Sequence, residues 1–342
     1  MTQQVSFTGT DDAPVQKEPS APASAKRGPA DAVSWLRRWQ PTPRQLAWVC
    51  LAALVVNVMI VVTGGAVRLT RSGLGCPTWP TCTAGSLVPT AKLGINGIVE
   101  FTNRMLTGAV AVPVGAAIIA SMRVRPKRRD LRLLSWSLFL GVVAQAVIGG
   151  ISVRTHLAPV WVATHLVVSM MLIAAAFTLW VRCRETGGPV RATVQPALRN
   201  LGYVLTGVVG ALIIAGTIVT GSGPHSGARP TDPGSQRFPI SPANASQFHA
   251  DLVFLTVGLT VALYFALKAT SAPGHIVRAV RDLFAVCMAQ GVIGYVQYFS
   301  HLPVLLVGMH MFGACLVWIA TLRVLLLMRE PVTAAAVPSQ TA

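Results

Sequence analysis

The chain has 342 residues, of which 53% are hydrophobic and only 11% carry a charged side chain. This composition excludes an ordinary soluble enzyme, because most of the side chains favour an apolar solvent. The 28 Lys and Arg residues outnumber the 11 Asp and Glu residues, for a formal net charge of +17. In a soluble protein such a balance suggests a nucleic-acid partner, an interpretation that fails if the basic residues lie between membrane spans.

Eight apolar runs have about the 20 residues that a helix needs to cross a hydrocarbon core. Because they are continuously apolar rather than alternating, they predict membrane-spanning helices and not a β-barrel. The runs cover 48–67, 98–120, 131–151, 159–181, 201–221, 249–267, 276–298 and 303–328.

The basic residues predict the orientation, since Lys and Arg near span ends are retained on the cytoplasmic side. With both termini in the cytoplasm, 21 of the 28 basic residues lie on that side and 7 on the other. The loop between the second and third runs contributes six of the 21, within 123–132. We therefore expect a multi-pass protein of the cell membrane, surrounded by lipid and without a nucleic-acid partner.

An internal repeat organises the chain. Residues 145–165 and 290–310 are identical at eight of 21 positions, at a fixed offset of 145. Each half contains four spans, so both halves enter from the same side and form parallel copies. The sequence thus predicts an all-α membrane protein whose eight transmembrane helices form two parallel-repeat four-helix bundles.

The predicted boundaries follow from this repeat. The N-terminal bundle covers 44–184 and the C-terminal bundle covers 185–330. Residues 1–43 are rich in Ala, Pro, Ser and charge, which is typical of a disordered tail. Residues 331–342 form a second cytoplasmic tail.

Histidines occupy equivalent positions in the two halves. His165 and His310 are matched by the offset of 145, and at an offset of 146 Asn103 takes the place of His249. In the second half, His249 and His310 lie near the outer ends of two helices. Two imidazoles from two helices of a bundle are what a six-coordinate haem requires. The alternative for each is a hydrogen-bonded structural histidine, although polar residues inside spans tend to be functional.

Two further histidines, His156 and His301, precede the deeper pair by nine residues and fall in outer connections. At these positions each could wrap a helix end, contact a haem propionate or bind the haem iron. The sequence does not distinguish these three roles.

Two cysteines stand in the first outer loop. Cys76 and Cys82 belong to the segment GLGCPTWPTC at 73–82. On the predicted topology this loop faces an oxidising space, which favours a disulfide. A redox-active dithiol is the alternative, and zinc is disfavoured because the loop lacks a second Cys or His pair.

Glu100 is the only Glu in a span or at an outer span mouth. It could cap the helix end. Alternatively, it acts on whatever the first bundle binds, because it lies one helical turn before Asn103 on the same face. Arg104 beside it could neutralise the carboxylate or bind a propionate.

Together, the duplicated eight-span layout, GLGCPTWPTC, the EFTNR motif at 100–104 and the repeated histidines resemble the haem A synthase family. The resemblance covers essentially the whole chain after the tail. It implies oxidation of the C8 methyl of haem O to a formyl group through a hydroxymethyl intermediate, giving haem A for a terminal cytochrome oxidase. It also implies a permanent haem b in the second bundle and substrate haem O in the first.

Carried over by position, the resemblance implies that His249 and His310 are the axial ligands of haem b. His165 would be a ligand of the substrate haem. This sequence departs from the pattern at Asn103, where many relatives have a second histidine ligand for the substrate haem. An amide is a poor iron ligand, so the substrate haem is five-coordinate or takes a ligand from elsewhere.

The same resemblance places Glu100 next to the methyl group that is oxidised and makes Cys76 and Cys82 the outer-loop pair. It implies two partners, a haem O synthase and an electron donor. Two other functions remain as alternatives. A diheme electron carrier linked to quinone would use the same histidines, and a transporter would explain the duplication but requires interrupted helices near the midplane.

Overall fold

The computed structural model of the protein describes residues 39–225, 227 and 236–332. All the secondary structure described here belongs to one compact unit, Gln40–Ala342. Residues 1–38 of the predicted N-terminal tail, 1–43, lie outside the described residues. Residues 333–342 of the predicted C-terminal tail also lie outside them.

Long α-helices dominate the described part of the chain. They are α1 Pro43–Leu69, α2 Gly94–Arg123, α3 Arg129–Arg154, α4 Pro159–Arg182, α5 Pro196–Ser222, α6 Pro242–Ala269, α7 Gly274–Phe299 and α8 Val304–Leu327. A short 3-10 helix, Ala91–Leu93, precedes α2.

Polar caps set the beginnings of two of these helices. Thr42 and Gln45 form a capping box at the start of α1, which satisfies backbone N–H groups that have no partner within the helix. At α6, the Ser241 side chain accepts a hydrogen bond from the backbone of Asn244 and Pro242 occupies the first turn. This cap starts α6 before residue 249, where the apolar run begins, so His249 lies inside the helix rather than at its start.

Seven of the helices within the described residues are long and apolar enough to cross a membrane, which makes the chain a multi-pass membrane protein. Helix α7 is as long as the others but is not among these seven, and its sequence contains Arg278, Arg281 and Asp282 near its start. The predicted run at 276–298 is therefore confirmed as a helix.

The helices contact one another in two sets. Helices α1, α2, α3 and α4 form a closed ring of neighbours, and α5, α6, α7 and α8 form another. We call these sets the first group and the second group. Contacts between the groups run through α1 and α4 on one side and α5 and α8 on the other.

One end of both groups is filled by apolar side chains. In the first group, Leu131 and Leu179 are fully buried near the end at which α3 begins and α4 finishes. In the second, Val209, Leu263 and Leu283 belong to a core that lies toward the same end. The opposite end, where α2, α4, α6 and α8 begin, carries the predicted site residues.

The sequence repeat is also present in the backbone. His156 and Leu157 after α3, and His301 and Leu302 after α7, all have positive φ angles between 53° and 62°. In both turns the leucine N–H donates back into the helix, to Ser152 and Gln297 respectively. Such left-handed residues end helices and satisfy their last carbonyl groups. The structure therefore places His156 and His301 in turns that wrap helix ends.

A two-stranded ladder departs from the all-α expectation. Strand β1, Val190–Ala192, pairs antiparallel with strand β2, Arg329–Pro331. Arg191 and Glu330 also form an ion pair across it. The ladder joins the linker between the two groups to the segment after α8, so Pro331 belongs to a strand and not to the predicted tail. Strands of three residues are too short to show an alternating pattern in a sequence.

Candidate functional site

The second group brings two predicted histidines face to face. The ring centroids of His249 on α6 and His310 on α8 are 6.3 Å apart, with an angle of 60° between the ring planes. Two imidazoles bound to one metal through bonds of about 2.0 Å place their ring centres about 6 Å apart. The observed spacing therefore fits a single metal ion between the two rings.

Glycines on the neighbouring helices pack against these two histidine rings. A β-carbon built on Gly216 would lie 3.3 Å from Cε1 of His249, and one built on Gly294 would lie 3.2 Å from Cε1 of His310. Each ring thus presses its Nδ1 and Cε1 edge against a helix backbone. The Nε2 atom of each ring lies farther from the glycine and remains free to act as a ligand.

In the first group, one histidine, His165, lies against a glycine in the same way. A β-carbon on Gly149 would lie 3.4 Å from Cε1 of His165. In addition, the side chain of Gln145 donates to the carbonyl oxygen of His165 at 3.0 Å, and Gln290 donates to that of His310 at 2.8 Å. These glutamines were not predicted as site residues. Their identity at matched positions of the repeat is the signal that identifies them.

Several polar atoms at this end have no partner within the described residues. Nδ1 of His165, Nδ1 of His310 and Oδ1 of Asn103 are buried without a hydrogen bond. Buried unpaired polar atoms are rare in folded proteins and call for a specific explanation, such as a missing ligand.

A haem fits these residues better than a metal ion held by the protein alone. Within the part of the chain that the structure describes, no three His, Cys, Asp or Glu side chains form a metal-binding cluster. A porphyrin supplies its own equatorial nitrogens and needs only axial ligands from the protein. Two opposed imidazoles resting on glycines meet that need.

Glu100 is buried on α2, with 5% of its surface exposed. Its Oε2 accepts a hydrogen bond from the backbone N–H of Cys76 at 2.7 Å, and its Oε1 accepts one from Nε of Arg104 at 3.1 Å. Both carboxylate oxygens are therefore engaged. Of the two roles considered for Arg104, the structure shows the neutralisation of Glu100.

Arg104 also organises the loop between α1 and α2. Its Nη1 donates to the carbonyl oxygens of Thr78 at 3.0 Å and Thr81 at 3.2 Å, and its Nη2 donates to that of Cys76 at 3.1 Å. Cys76 and Cys82 form a disulfide with 4.4 Å between their Cα atoms. A single guanidinium thus holds three carbonyl groups of the segment that the disulfide closes.

The same loop covers the first group beside His165. The ring of Trp79 lies so close to Gly150 on α3 that a β-carbon there would be 2.5 Å from it. Arg154 donates to the carbonyl oxygen of Trp79 at 3.3 Å. The loop therefore packs against α3 at Gly150, the residue that follows the Gly149 contact with His165.

We expect the Arg104→Ala variant to expose the disulfide. Cys76 and Cys82 are almost fully buried, so a reductant reaches them only when the loop opens. Hydrogen bonds to charged groups contribute about 1.5–3 kcal/mol each, and losing one such contribution speeds opening at least about tenfold. The measurement is the rate at which a mild reductant frees the two thiols, followed by thiol labelling and mass spectrometry of the peptide.

Lys92→Ala is the matched control, because Lys92 is an exposed base next to the same loop. Its rate of reduction should equal that of the unmodified protein. Equal rates for Arg104→Ala as well would mean that Arg104 does not hold the loop closed.

Comparison with known proteins finds similarity to proteins named Heme A synthase and Protoheme IX farnesyltransferase. A protein named Heme A synthase from Lysinibacillus sphaericus is 32% identical over 137 residues, 40% of this chain and 44% of that protein. A second Heme A synthase, from Exiguobacterium sibiricum, is 29% identical over 158 residues, 45% of this chain and 52% of the relative. A Protoheme IX farnesyltransferase from Thermus thermophilus is 28% identical over 302 residues, 82% of this chain and 48% of the relative.

The chain spans about half the length of these curated relatives. The match to a family profile is more extensive, since residues 47–97 and 90–322 fit the profile described as COX15-CtaA, cytochrome oxidase assembly protein. The chain therefore belongs to the COX15-CtaA family of cytochrome oxidase assembly proteins.

Proposed function

We propose that this chain is a haem A synthase, a membrane oxidoreductase that converts the C8 methyl of haem O into a formyl group. The product, haem A, serves a terminal cytochrome oxidase. The observation that carries the proposal is the pair His249 and His310, with 6.3 Å between ring centroids, in a chain whose relatives include proteins named Heme A synthase.

The architecture that goes with this function is a pair of parallel-repeat four-helix bundles with eight spans, including α7. The N-terminal bundle, 44–184, takes the substrate haem, and the C-terminal bundle, 185–330, holds haem b. Three features support this division: the closed ring of contacts in each group, the offset of 145 between matched sequences, and the identical left-handed turns after α3 and α7.

The haem ligands follow from the same arrangement. We assign His249 and His310 as the axial ligands of haem b and His165 as a ligand of the substrate haem iron. The 6.3 Å between the ring centroids of His249 and His310 and the contacts of the three rings with glycines support the assignment. In metal-bound histidines the nitrogen that is not a ligand usually donates to a carbonyl or carboxylate, which fixes the ring orientation. The helix backbone beside each glycine lies on that side of the ring.

The protein supplies binding, orientation and charge, and the bound haems supply the redox chemistry at iron. In this scheme Glu100 is the fixed negative charge beside the methyl that is oxidised, where it stabilises developing positive charge or positions water. Arg104 keeps the carboxylate in place through its hydrogen bond to Oε1. The loop that carries Trp79 packs on α3 at Gly150, and in this scheme it restricts water at the outer end of the substrate site.

The membrane orientation is part of the proposal. Both termini lie in the cytoplasm and the chain resides in the cell membrane, because 21 of the 28 basic residues then lie on the cytoplasmic side. The disulfide loop faces the opposite, oxidising side. Haem O enters laterally from the lipid, into which its farnesyl tail partitions.

A haem O synthase is the proposed source of the substrate. The farnesyltransferase relative from Thermus thermophilus carries a segment similar to 82% of this chain, and the match accounts for 48% of that protein. A chain similar to ours therefore occurs within a protein named for farnesyl transfer to protohaem. The remaining proposed partner is an electron donor that reduces haem b.

The deciding experiment measures the haems themselves. The chain is produced in cells that also make haem O, and extracted haems are identified by mass. We expect haem A only when the chain is present, with cells lacking it as the control. Unchanged haem O beside a low-spin haem signal would favour the diheme electron carrier linked to quinone. The absence of any haem spectrum from the purified protein would contradict both functions.

A further inference from the structure

We propose that Gly216 and Gly294 are positioning residues for the two ligands of haem b. Each glycine lets a histidine ring lie against a helix backbone and donate its Nδ1–H to the carbonyl group four residues earlier, which leaves Nε2 free for the iron. The inference rests on the proposed function and deepens it, because it names the residues that set the orientation and basicity of His249 and His310.

The distances between the rings and the glycines leave little room for a side chain. A β-carbon built on Gly216 would lie 3.3 Å from Cε1 and 3.7 Å from Nδ1 of His249. One built on Gly294 would lie 3.2 Å from Cε1 and 3.6 Å from Nδ1 of His310. Carbon atoms attract each other best at about 3.5–4.0 Å, so an alanine at either position would push the ring away from the helix.

The ring of His249 has a backbone partner on the glycine side. It donates a hydrogen bond to the carbonyl oxygen of Leu212, four residues before Gly216, and Nδ1 is the ring nitrogen that faces this glycine. In an α-helix the carbonyl of residue i−4 lies beside residue i, because the N–H of residue i donates to it. A glycine at residue i therefore leaves that carbonyl accessible to a side chain from another helix.

The same relation holds for His310. Residue 290, four before Gly294, is a glutamine whose side chain donates to the carbonyl oxygen of His310 at 2.8 Å. Nδ1 of His310 is buried and has no hydrogen bond within the described residues. By analogy with Leu212, the backbone carbonyl of Gln290 is its acceptor, and a small rotation of the ring completes the bond.

The internal repeat shows that this arrangement is not confined to the second group. On α3, Gly149 and Gln145 make the same kinds of contact with His165. Glycine inside a helix is less favourable than alanine by about 1 kcal/mol. Its presence beside all three predicted ligand histidines indicates that the close approach of the ring offsets this cost.

A hydrogen bond at Nδ1 changes the imidazole as a ligand. It fixes the ring orientation and makes the other nitrogen more basic. A more basic ligand stabilises ferric iron relative to ferrous iron, because the ferric ion carries the larger positive charge. Gly216 and Gly294 therefore act on the midpoint potential of haem b through His249 and His310.

The test is a redox titration of the Gly294→Ala variant, as the full-length protein purified in detergent with its haems. We expect the midpoint potential of haem b to rise and its low-spin electron paramagnetic resonance signal to shift, because the displaced ring loses its hydrogen bond. Loss of one hydrogen bond changes an equilibrium about fivefold, which corresponds to about 40 mV for a one-electron couple. Gly291→Ala is the matched control on the same helix, since a β-carbon there meets no atom within 4 Å.

Gly216→Ala repeats the test at the other ligand, so the proposal stays testable if Gly294→Ala fails to fold. Its control is Gly210→Ala on α5, where a β-carbon also meets no atom within 4 Å. The proposal is overturned if a folded Gly294→Ala or Gly216→Ala protein keeps the original potential and signal, or if the controls shift them equally. An unchanged potential with normal haem A production would contradict this inference alone. A shifted potential in a protein that makes no haem A would contradict the proposed function alone.

Discussion

Replacement of His310 by alanine should eliminate the low-spin bis-imidazole haem signal of the purified protein. His310 and His249 are the two imidazoles with 6.3 Å between ring centroids. With one axial ligand removed, the remaining iron becomes high-spin or the haem is lost. The measurements are the visible absorption spectrum, the electron paramagnetic resonance spectrum and the haem-to-protein ratio.

His301→Ala is the matched control for this variant. His301 belongs to the same repeat segment and lies nine residues earlier, exposed in the turn after α7. Its replacement should leave the low-spin signal and the haem content unchanged. Survival of the low-spin signal in His310→Ala would show that the ligands of haem b are misassigned.

The Glu100→Gln variant should keep haem b and lose most of the haem A production. A glutamine has nearly the same shape and can still accept the hydrogen bond from the Cys76 N–H. It leaves Arg104 without its counter-charge in a buried site, and it removes the fixed negative charge beside the substrate. An interaction of about 1.5–3 kcal/mol between this charge and the reacting group in the transition state corresponds, when lost, to a reduction of about tenfold to a hundredfold in rate.

The control for Glu100→Gln is Asp251→Asn, a matched removal of one carboxylate near the start of the equivalent helix in the second group. Asp251 is exposed and accepts a hydrogen bond from Gln247 at 2.8 Å. Haem A production, measured by extraction, should be normal in this variant. Full haem A production by Glu100→Gln would remove Glu100 from the mechanism.

Much of the helical framework is predictable from the sequence because apolar runs and turn residues are local signals. Seven of the eight predicted runs lie within one helix each, and the eighth, 303–328, extends one residue beyond α8 at each end. The start of α6 was not predicted, since Ser241 and Pro242 cap the helix well before its apolar run. The ladder between β1 and β2 was also missed, because its two strands are far apart in sequence and each has only three residues.

The candidate site also contains some features that the sequence predicts and others that it does not. The repeat identified His165, His249 and His310, because an offset in sequence places side chains at equivalent depths of equivalent helices. It did not show what surrounds them. The Arg104 contacts to three loop carbonyls depend on the path of the loop, and the position of Trp79 over Gly150 depends on how the loop meets α3. Contacts of this kind arise from tertiary packing, which no local pattern records.

The ladder has a consequence for the order in which the protein assembles. Arg191 and Glu330, which face each other across it, are separated by 139 residues. During translation, β1 is therefore complete long before its partner strand exists, and it stays unpaired until α8 has been made. The two groups of helices can each form first, and the ends that carry β1 and β2 are joined only when the last residues of β2 leave the ribosome. Truncation after Leu327 would keep every helix and still omit this final step.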